Sequence, residues 1–219
     1  MDVEQARFNM IEQQIRTWEV LDQDVLSLLS VVKREDFVPP GRASLAFVDT
    51  EVPLPGGQSM LSPKVEARLL QELALQKHER VLEVGAGSGH MAALLAQRAQ
   101  HVTTLETVPE LARIAAANLR RSWVGNADVV EADGSAARLP DEGPFDAIVL
   151  SGSVAALPPA MLARLKPGGR LVAIVGQLPV MRAVLATRAA SGPGHSTVEL
   201  FDTVAPRLSG FPEPSRFQF

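Results

Sequence analysis

The stretch RVLEVGAGSGH, residues 80–90, decides the fold of this 219-residue chain. Its first half is an apolar run typical of a buried strand, and its second half is rich in glycine. The helix-forming composition of MAALLAQRA, residues 91–99, follows directly. Glycines between a strand and a helix permit positive φ angles and let a ligand approach the bare backbone, and the helix N-terminus offers free N–H groups. The stretch therefore predicts a strand, a ligand-binding turn and a helix.

Strand-like and helix-like segments alternate from Arg80 to Gly176. The strands are predicted at 80–87, 101–106, 127–133, 145–151 and 170–176, and the helices at 91–99, 109–122 and 158–165. Such alternation favours a parallel sheet that is covered on both faces by helices. Beyond Gly176, two strand-like runs at 180–188 and 197–205 have no helix between them and predict an antiparallel hairpin on the sheet edge.

The first 75 residues lack this alternation. Two amphipathic helices are predicted at about 3–18 and 22–33, followed by an irregular segment at 36–62. Ser62 and Pro63 are suited to the N-cap and the first position of a further helix that runs to about residue 75. We expect one compact unit with two parts: a helical cap and cleft-lining loop at 1–75, and an α/β core with a C-terminal hairpin and tail at 76–219.

Composition excludes several classes of function. The formal net charge is -4 and no basic stripe is present, so nucleic acid is not an expected partner. The chain has no cysteine, which excludes disulfides, thiolate metal sites and a cysteine nucleophile. No metal-ligand spacing is found, and the scattered histidines, His78, His90, His101 and His195, are interpreted as surface or packing residues. With no signal-peptide pattern and no run long enough to span a bilayer, a cytoplasmic protein without membrane contact is expected.

Acidic and small residues recur at the predicted carboxyl ends of successive strands, where open α/β sheets bind ligands. Glu106 could accept both hydroxyls of a ribose, and Asp133 could accept an adenine amino proton. The G-x-G-x-G spacing differs from the dinucleotide G-x-G-x-x-G, and the acidic Glu83 before it suits an ammonium or hydroxyls better than a pyrophosphate. Each feature alone fits a plain connection, but together they predict a nucleoside-cofactor site formed by Glu83, Gly85, Ala86, Gly87, Ser88, Gly89, Glu106, Asp133, Gly134 and Ser151.

These features resemble the class I S-adenosylmethionine (SAM)-dependent methyltransferases, including the LKPGGRL segment at 165–171. Three further stretches resemble the protein-L-isoaspartate O-methyltransferases: MIEQQIRTWEVLDQDVLSLLSVVKREDFVP (10–39), LAFVDTEVPL (45–54) and PFDAIVLSGSVAALPPAMLARLKPGGRLVAIVG (144–176). The resemblance implies a Rossmann-like class I methyltransferase fold, SAM as the cofactor and isoaspartyl proteins or peptides as the substrate of a repair reaction. It also implies a monomer. A carboxylate is already ionised at pH 7, so this reaction needs alignment and desolvation rather than a general base.

The segment GGQSMLSP, residues 56–63, matches the acceptor loop of that family, which reads Gly-x-Gly-Gln-Thr-Ile-Ser-x-Pro. Ser59 and Ser62 are the hydroxyl candidates, although Ser62 is also the predicted N-cap of the next helix. Leu61 stands where the family has serine, and it cannot donate a hydrogen bond to a carboxylate. Three functions therefore stay open: isoaspartyl methylation, SAM-dependent methylation of another acceptor, and a non-catalytic SAM-binding interaction module.

Overall fold

The computed structural model describes residues 2–213 as an α/β fold. Its α-helices are α1 (Val3–Asn9), α2 (Gln23–Val31), α3 (Pro63–Leu73), α4 (His90–Arg98), α5 (Pro109–Arg121) and α6 (Pro159–Ala163). Its strands are β1 (Val52–Pro53), β2 (Ser59–Met60), β3 (Arg80–Val84), β4 (His101–Glu106), β5 (Ala127–Glu131), β6 (Phe145–Val154), β7 (Leu165–Gln177), β8 (Val180–Arg188) and β9 (His195–Asp202). No helix among residues 2–213 is both long and apolar enough to cross a membrane.

The main sheet has seven strands in the order β5-β4-β3-β6-β7-β8-β9. The first five run parallel, and β8 and β9 form an antiparallel hairpin at one edge. The predicted mostly parallel sheet with an edge hairpin is therefore confirmed. The chain adds strands to one side of β3 and then crosses to the other side with β6. This reversal is a topological switch point, where open α/β sheets bind their ligands.

The N-terminal part packs against the sheet as a helical layer. The first helix continues beyond α1 through a π-helical turn, Met10–Ile15, and a 3₁₀ turn, Arg16–Trp18, as the predicted helix at 3–18 implies. Asp22 caps α2 by accepting hydrogen bonds from two backbone N–H groups of its first turn. One buried cluster includes residues from Met10 in the first helix to Ala183 in β8, so the helical part and the sheet share a core.

Several elements differ from their predicted bounds, among them β3, which ends at Val84 where the glycine turn begins rather than at residue 87, and the C-terminal strands β7 and β9. Strand β7 begins at Leu165, because Leu165 pairs with Phe145 of β6. The ladder then resumes at Arg170, opposite Ala147, after a register shift that passes over residues 166–169.

Strand β9 ends at Asp202, three residues before its predicted end, although the Thr203 N–H still donates to Met181 O of β8 at 3.1 Å. Residues 203–213, here called the C-terminal segment, return to β6: the Ser153 N–H donates to Pro206 O at 2.7 Å, and the Leu208 N–H donates to Ser153 O at 2.9 Å. The predicted tail at 209–219 lies within the described residues only as far as residue 213.

Candidate active site

Two adjoining cavities lie at the carboxyl ends of β3, β4 and β6. The larger, here called the main cleft, lies beside Glu106 and Gly134. The smaller, here called the inner cavity, lies beside Glu83 and Glu66. Both are lined by four of the same residues, Ser59, Gly85, Gly87 and Ser151. The predicted acceptor loop and the predicted cofactor turn therefore meet at one place.

The glycines of the β3–α4 turn have different tasks. Gly85 has a φ of 93°, and a Cβ atom there would lie 2.9 Å from Leu208 Cδ2, so the cleft wall can be this thin only with glycine. Gly89 has a φ of 85° and lines neither cavity; a Cβ atom there would lie 3.1 Å from Ala115 O. Gly89 thus permits the close approach of α4 and α5, whereas Gly85 and Gly87 form the cavity walls.

Glu106, at the end of β4, is fixed by the backbone. Its Oε2 accepts a hydrogen bond from the Gly87 N–H at 2.9 Å, and its Oε1 accepts one from the Val108 N–H at 3.0 Å. The residue is only 6% exposed and lines the main cleft. Because each carboxylate oxygen has two lone pairs, the group can still accept hydrogen bonds from a ligand. The geometry suits the predicted contact with ribose hydroxyls.

Glu83 lies fully buried in β3 and lines the inner cavity. Its Oε2 accepts a hydrogen bond from Thr104 Oγ1 at 2.6 Å, and its Oε1 accepts one from Ser151 Oγ at 2.7 Å. Burial raises the pKa of Glu83 to about 8, since loss of hydration outweighs the two hydroxyl donors and the nearby Glu66 and Glu106 carboxylates add to the rise. The side chain is therefore mainly neutral at pH 7. An ammonium group close to it would favour the ionised form.

Asp133 follows β5 but does not itself line either cavity, although its neighbour Gly134 lines the main cleft. Its Oδ1 accepts hydrogen bonds from the N–H and the hydroxyl of Ser135 at 2.8 and 2.7 Å. A Cβ atom at Gly134 would lie 2.4 Å from Val84 Cγ1, so glycine is needed for the loop to pass this close to β3. The structure thus brings the Asp133–Gly134 turn to the site through its backbone.

The acceptor loop presents one of its two candidate hydroxyl residues to the cavities. Ser59 lines both of them, whereas Ser62 lines neither. Ser62 occupies the N-cap position of α3, as predicted, but its side chain makes no capping hydrogen bond. Met60 and Leu61 are each 4% exposed and form an apolar part of the inner wall. Met60 and Leu61 therefore belong to the hydrophobic core and also line the inner cavity.

Comparison with known protein families supports the family that the sequence motifs indicate. The family model of protein-L-isoaspartate(D-aspartate) O-methyltransferase (PCMT) matches residues 5–197, which include the helical part, the acceptor loop and most of the sheet. The chain belongs to the PCMT family. This confirms the family that the sequence motifs predict.

Individual PCMT relatives cover most of the chain. It is 39% identical to the protein-L-isoaspartate O-methyltransferase of Methanoculleus marisnigri over 170 residues, 78% of this chain and 77% of the relative. It is 42% identical to that of Rhodopseudomonas palustris over 167 residues, 76% of each chain. A Plasmodium falciparum chain assigned to the same enzyme, solved with S-adenosyl-L-homocysteine, superposes with a TM-score of 0.80 at 21% identity, over 95% of this chain and 99% of that one. The superposition shows a shared fold.

Three charged or polar side chains behind the PCMT acceptor loop were not predicted as site residues. Arg34, Glu66 and His90 are each at most 3% exposed and form a hydrogen-bonded network. Glu66 had a recognisable signal, because it lies on the same face of α3 as Leu69, Leu70 and Leu73 and is thus predicted to be buried. His90 directly follows the glycine turn. We interpreted His90 from the sequence as a surface or packing residue, and that interpretation did not include its place in the wall of the inner cavity.

The C-terminal segment supplies the other wall residues that sequence reasoning left out. Leu208 and Ser209 line the main cleft together with the acceptor loop residue Gln58. Their approach depends on the hydrogen bonds of the segment to Ser153 in β6, more than 50 residues away. Nothing in the sequence of residues 203–213 indicates that this segment returns to β6.

Proposed function

We propose that this chain is a SAM-dependent methyltransferase that methylates the carboxylate of isoaspartyl residues in proteins and peptides. The observation that carries the proposal is the single site in which the PCMT acceptor loop meets the glycine turn and the fixed carboxylate of Glu106. We also propose that the protein acts as a monomer in the cytoplasm, with neither nucleic acid nor membrane as a partner.

The residues of the main cleft fit SAM. Glu106 would accept the ribose hydroxyls, the Asp133–Gly134 turn would face the adenine, and the bare backbone of Gly85 and Gly87 would allow a close approach. Val84, Leu105, Leu111 and Leu208 provide apolar surface around the same cleft. We place the SAM site across the main cleft and the adjoining inner cavity, at Glu83, Gly85, Ala86, Gly87, Ser88, Glu106, Gly134 and Ser151 and at Asp133 beside Gly134, with Gly89 as a packing residue of the same turn.

The chemistry demands little of the side chains. When bound, SAM would supply a methyl group on positively charged sulfur. The acceptor carboxylate oxygen would bond to the methyl carbon, and the electrons of the carbon–sulfur bond would stay on sulfur. No proton moves, and no general base is required. What the chain must do is exclude water and align the two reactants, which by itself can lower the barrier by about 7–11 kcal/mol. Ser59, whose hydroxyl can donate to the acceptor carboxylate, is the candidate for that alignment.

The test measures transfer of a labelled methyl group from SAM to an isoaspartyl peptide, with the matching aspartyl peptide as the control. We expect transfer to the isoaspartyl peptide alone. Absence of transfer, in a preparation for which calorimetry shows SAM binding, would contradict the proposal.

One observation favours a second candidate function, the methylation of another acceptor. Leu61 replaces the family serine, and with Met60 and Met91 it makes part of the inner wall apolar. An acceptor with an apolar body would gain from that surface. SAM binding without isoaspartyl transfer, together with methylation of small apolar carboxylic acids, would support this candidate. Binding with no transfer to any acceptor would favour the third possibility, a non-catalytic SAM-binding interaction module.

A further inference from the structure

A groove outside the proposed SAM site lies between the β7–β8 turn and the C-terminal segment. Two adjoining cavities form it, and Met181 lines both of them. We call it the flank groove and define it by Leu178, Val180, Met181, Val204, Pro206 and Arg207. The proposed function does not yet use any of its residues.

The flank groove presents apolar side chains to solvent. Leu178, Val180 and Val204 are each at least 50% exposed, and Val180 and Val204 line the same cavity. Single exposed apolar side chains are common on protein surfaces, but a group of them around a groove is typical of a site that binds another molecule.

The charged residues that line the flank groove already have counter-charges. The ion pairs are Arg207–Glu213 (2.8 Å), Lys64–Asp49 (2.6 Å) and Asp202–Arg182 (2.8 Å). Because each charge is paired, the groove offers little attraction to an acidic or a basic ligand. It favours a neutral occupant with apolar side chains.

One polar atom of the groove wall lacks a partner. Arg207 Nη2 donates to Gly176 O at 2.9 Å, whereas Arg207 Nη1 is buried and has no hydrogen-bond partner among residues 2–213. A guanidinium is always protonated, so Nη1 can only donate and requires an acceptor. A backbone carbonyl oxygen is a neutral acceptor, and a bound polypeptide carries one at every residue.

The flank groove is continuous with the proposed active site. In the C-terminal segment Arg207 lines the groove, and the next residue, Leu208, lines the main cleft. In β6, Ser153 lines the groove, while Ser151 lines both the main cleft and the inner cavity. A polypeptide with one residue in the active site can therefore lay its neighbouring residues in the groove.

We propose that the flank groove binds the residues next to the isoaspartyl residue of a substrate polypeptide, and that it selects apolar side chains there. This inference rests on the proposed function and adds a sequence preference to it. Leu178, Val180 and Val204 then determine specificity and take no part in methyl transfer.

Three isoaspartyl peptides of equal length test the preference. One has leucine at the two positions before the isoaspartyl residue, one has leucine at the two positions after it, and one has serine at all four. We expect one of the leucine peptides to have a KM at least tenfold below that of the serine peptide. The kcat should agree within about twofold, because binding that is equal in the ground state and the transition state changes KM alone. Equal KM values for all three peptides would overturn the inference.

Val180→Asp and Val198→Asp form a matched pair of variants. Val180 is 62% exposed and lines the flank groove, whereas Val198 is 55% exposed on β9 and lines neither of its cavities. A carboxylate in the groove would repel an apolar side chain, so Val180→Asp should reduce the leucine preference at least fivefold. Val198→Asp should leave it within about twofold of wild type. An undiminished preference in Val180→Asp, or an equal loss in both variants, would contradict the proposed groove.

The remaining outcomes separate this inference from the proposed function. A wild-type chain that methylates the serine peptide but prefers neither leucine peptide would overturn the groove and leave the proposed function intact. A chain that binds SAM and methylates none of the three peptides would overturn the proposed function, and this inference with it. Sedimentation tests the other occupant: a wild-type dimer that Val180→Asp dissociates would assign the groove to a second copy of the chain and overturn the inference.

Discussion

Glu106 is held by two backbone N–H groups and lines the main cleft, so its carboxylate is pre-oriented for a ligand with hydroxyl groups. We expect Glu106→Ala to weaken SAM binding at least tenfold, about 1.4 kcal/mol, because the ribose hydroxyls lose a charged acceptor. Isothermal titration calorimetry gives the Kd. Glu106→Gln, which keeps one acceptor oxygen, should lose less. An unaltered Kd in Glu106→Ala would remove Glu106 from the cofactor site.

The substitution Leu61→Ser tests the role of the acceptor loop. Replacing Leu61 with serine restores a hydroxyl at the position where the PCMT family has one, and we expect Leu61→Ser to raise kcat/KM for an isoaspartyl peptide about threefold to tenfold. The same change removes a buried side chain and should destabilise the fold by about 2–4 kcal/mol. The rates are therefore measured well below the melting temperature.

Met60→Ser provides the matched control for this prediction. Met60 is as buried as Leu61 and lines the same cavity, but the corresponding family residue is apolar. It should lose stability with no gain in rate. A rate for Leu61→Ser at or below the wild-type rate would show that the loop alignment is wrong.

Single residues also show where sequence reasoning reaches its limit. The roles of Ser59 and Glu106 follow from local patterns, because a strand end or a family motif fixes their place. His90 could not be interpreted in the same way. Its meaning depends on Glu66 and Arg34, which are 24 and 56 residues away and approach it only in the folded chain. Burial gave a signal for Glu66, but no pattern linked it to His90.

At the scale of elements, the C-terminal segment forms part of the cofactor wall. Leu208 lies in the wall of the main cleft against Gly85 and Gly152. We expect Leu208→Ala to weaken SAM binding about threefold to tenfold, since apolar surface that covers the ligand is lost at about 25 cal/mol per Å². Calorimetry measures the Kd, and thermal unfolding checks that the fold is retained.

Leu178→Ala is the matched control for the C-terminal segment. Leu178 is 74% exposed in the β7–β8 turn and lies outside the main cleft, so the same truncation there should leave the Kd for SAM unchanged. Equal effects of the two substitutions would mean that the C-terminal segment does not contact the cofactor.

The regular elements were largely predictable, and the irregular ones were not. Strands β4 and β8 begin and end at the predicted residues, because their apolar runs are bounded by turns and charged residues. Strand β7 starts five residues earlier than predicted, since Leu165 pairs with Phe145 of β6 before the turn-like residues 166–169, and the ladder resumes at Arg170 opposite Ala147. In that case pairing with β6 extends the strand across a local turn. The return of residues 203–213 to β6 has the same origin.

At the scale of the whole molecule, the site depends on the switch point of the sheet and on a core shared with the helical layer. Arg34 comes from the N-terminal part, Glu66 from α3 and His90 from α4, so three separate segments must pack before the inner cavity exists. Stability and function are coupled through that buried network. Its charges, and those of Glu83, should therefore appear in the pH dependence of unfolding.

Two buried glutamates have pKa values shifted in opposite directions, so they affect the free energy of unfolding in different pH ranges. Glu83 has a folded pKa of about 8, above the ordinary value, because burial disfavours its charge. At a pH below the ordinary pKa of glutamate, this side chain is protonated in both the folded and the unfolded chain. Between about pH 4.5 and 8 only the unfolded chain releases it, so the free energy of unfolding falls by about 1.4 kcal/mol per pH unit. Glu83→Gln removes this loss, and its stability relative to wild type should rise steadily from pH 5 to pH 8.

Glu79 provides the control of opposite sign. Burial acts to raise its pKa, but hydrogen bonds from Arg170 and the Gln76 N–H leave the pKa below its ordinary value. The stability that Glu79 contributes is therefore complete above the ordinary pKa and is lost only as the pH falls below it. Glu79→Gln should accordingly lower stability by the same amount at every pH from 5 to 8. Urea unfolding of both variants and wild type at pH 5, 6, 7 and 8 measures these differences at constant ionic strength. A stability difference between Glu83→Gln and wild type that stays level over this range would mean that Glu83 is ionised in the folded protein and that burial does not raise its pKa to about 8.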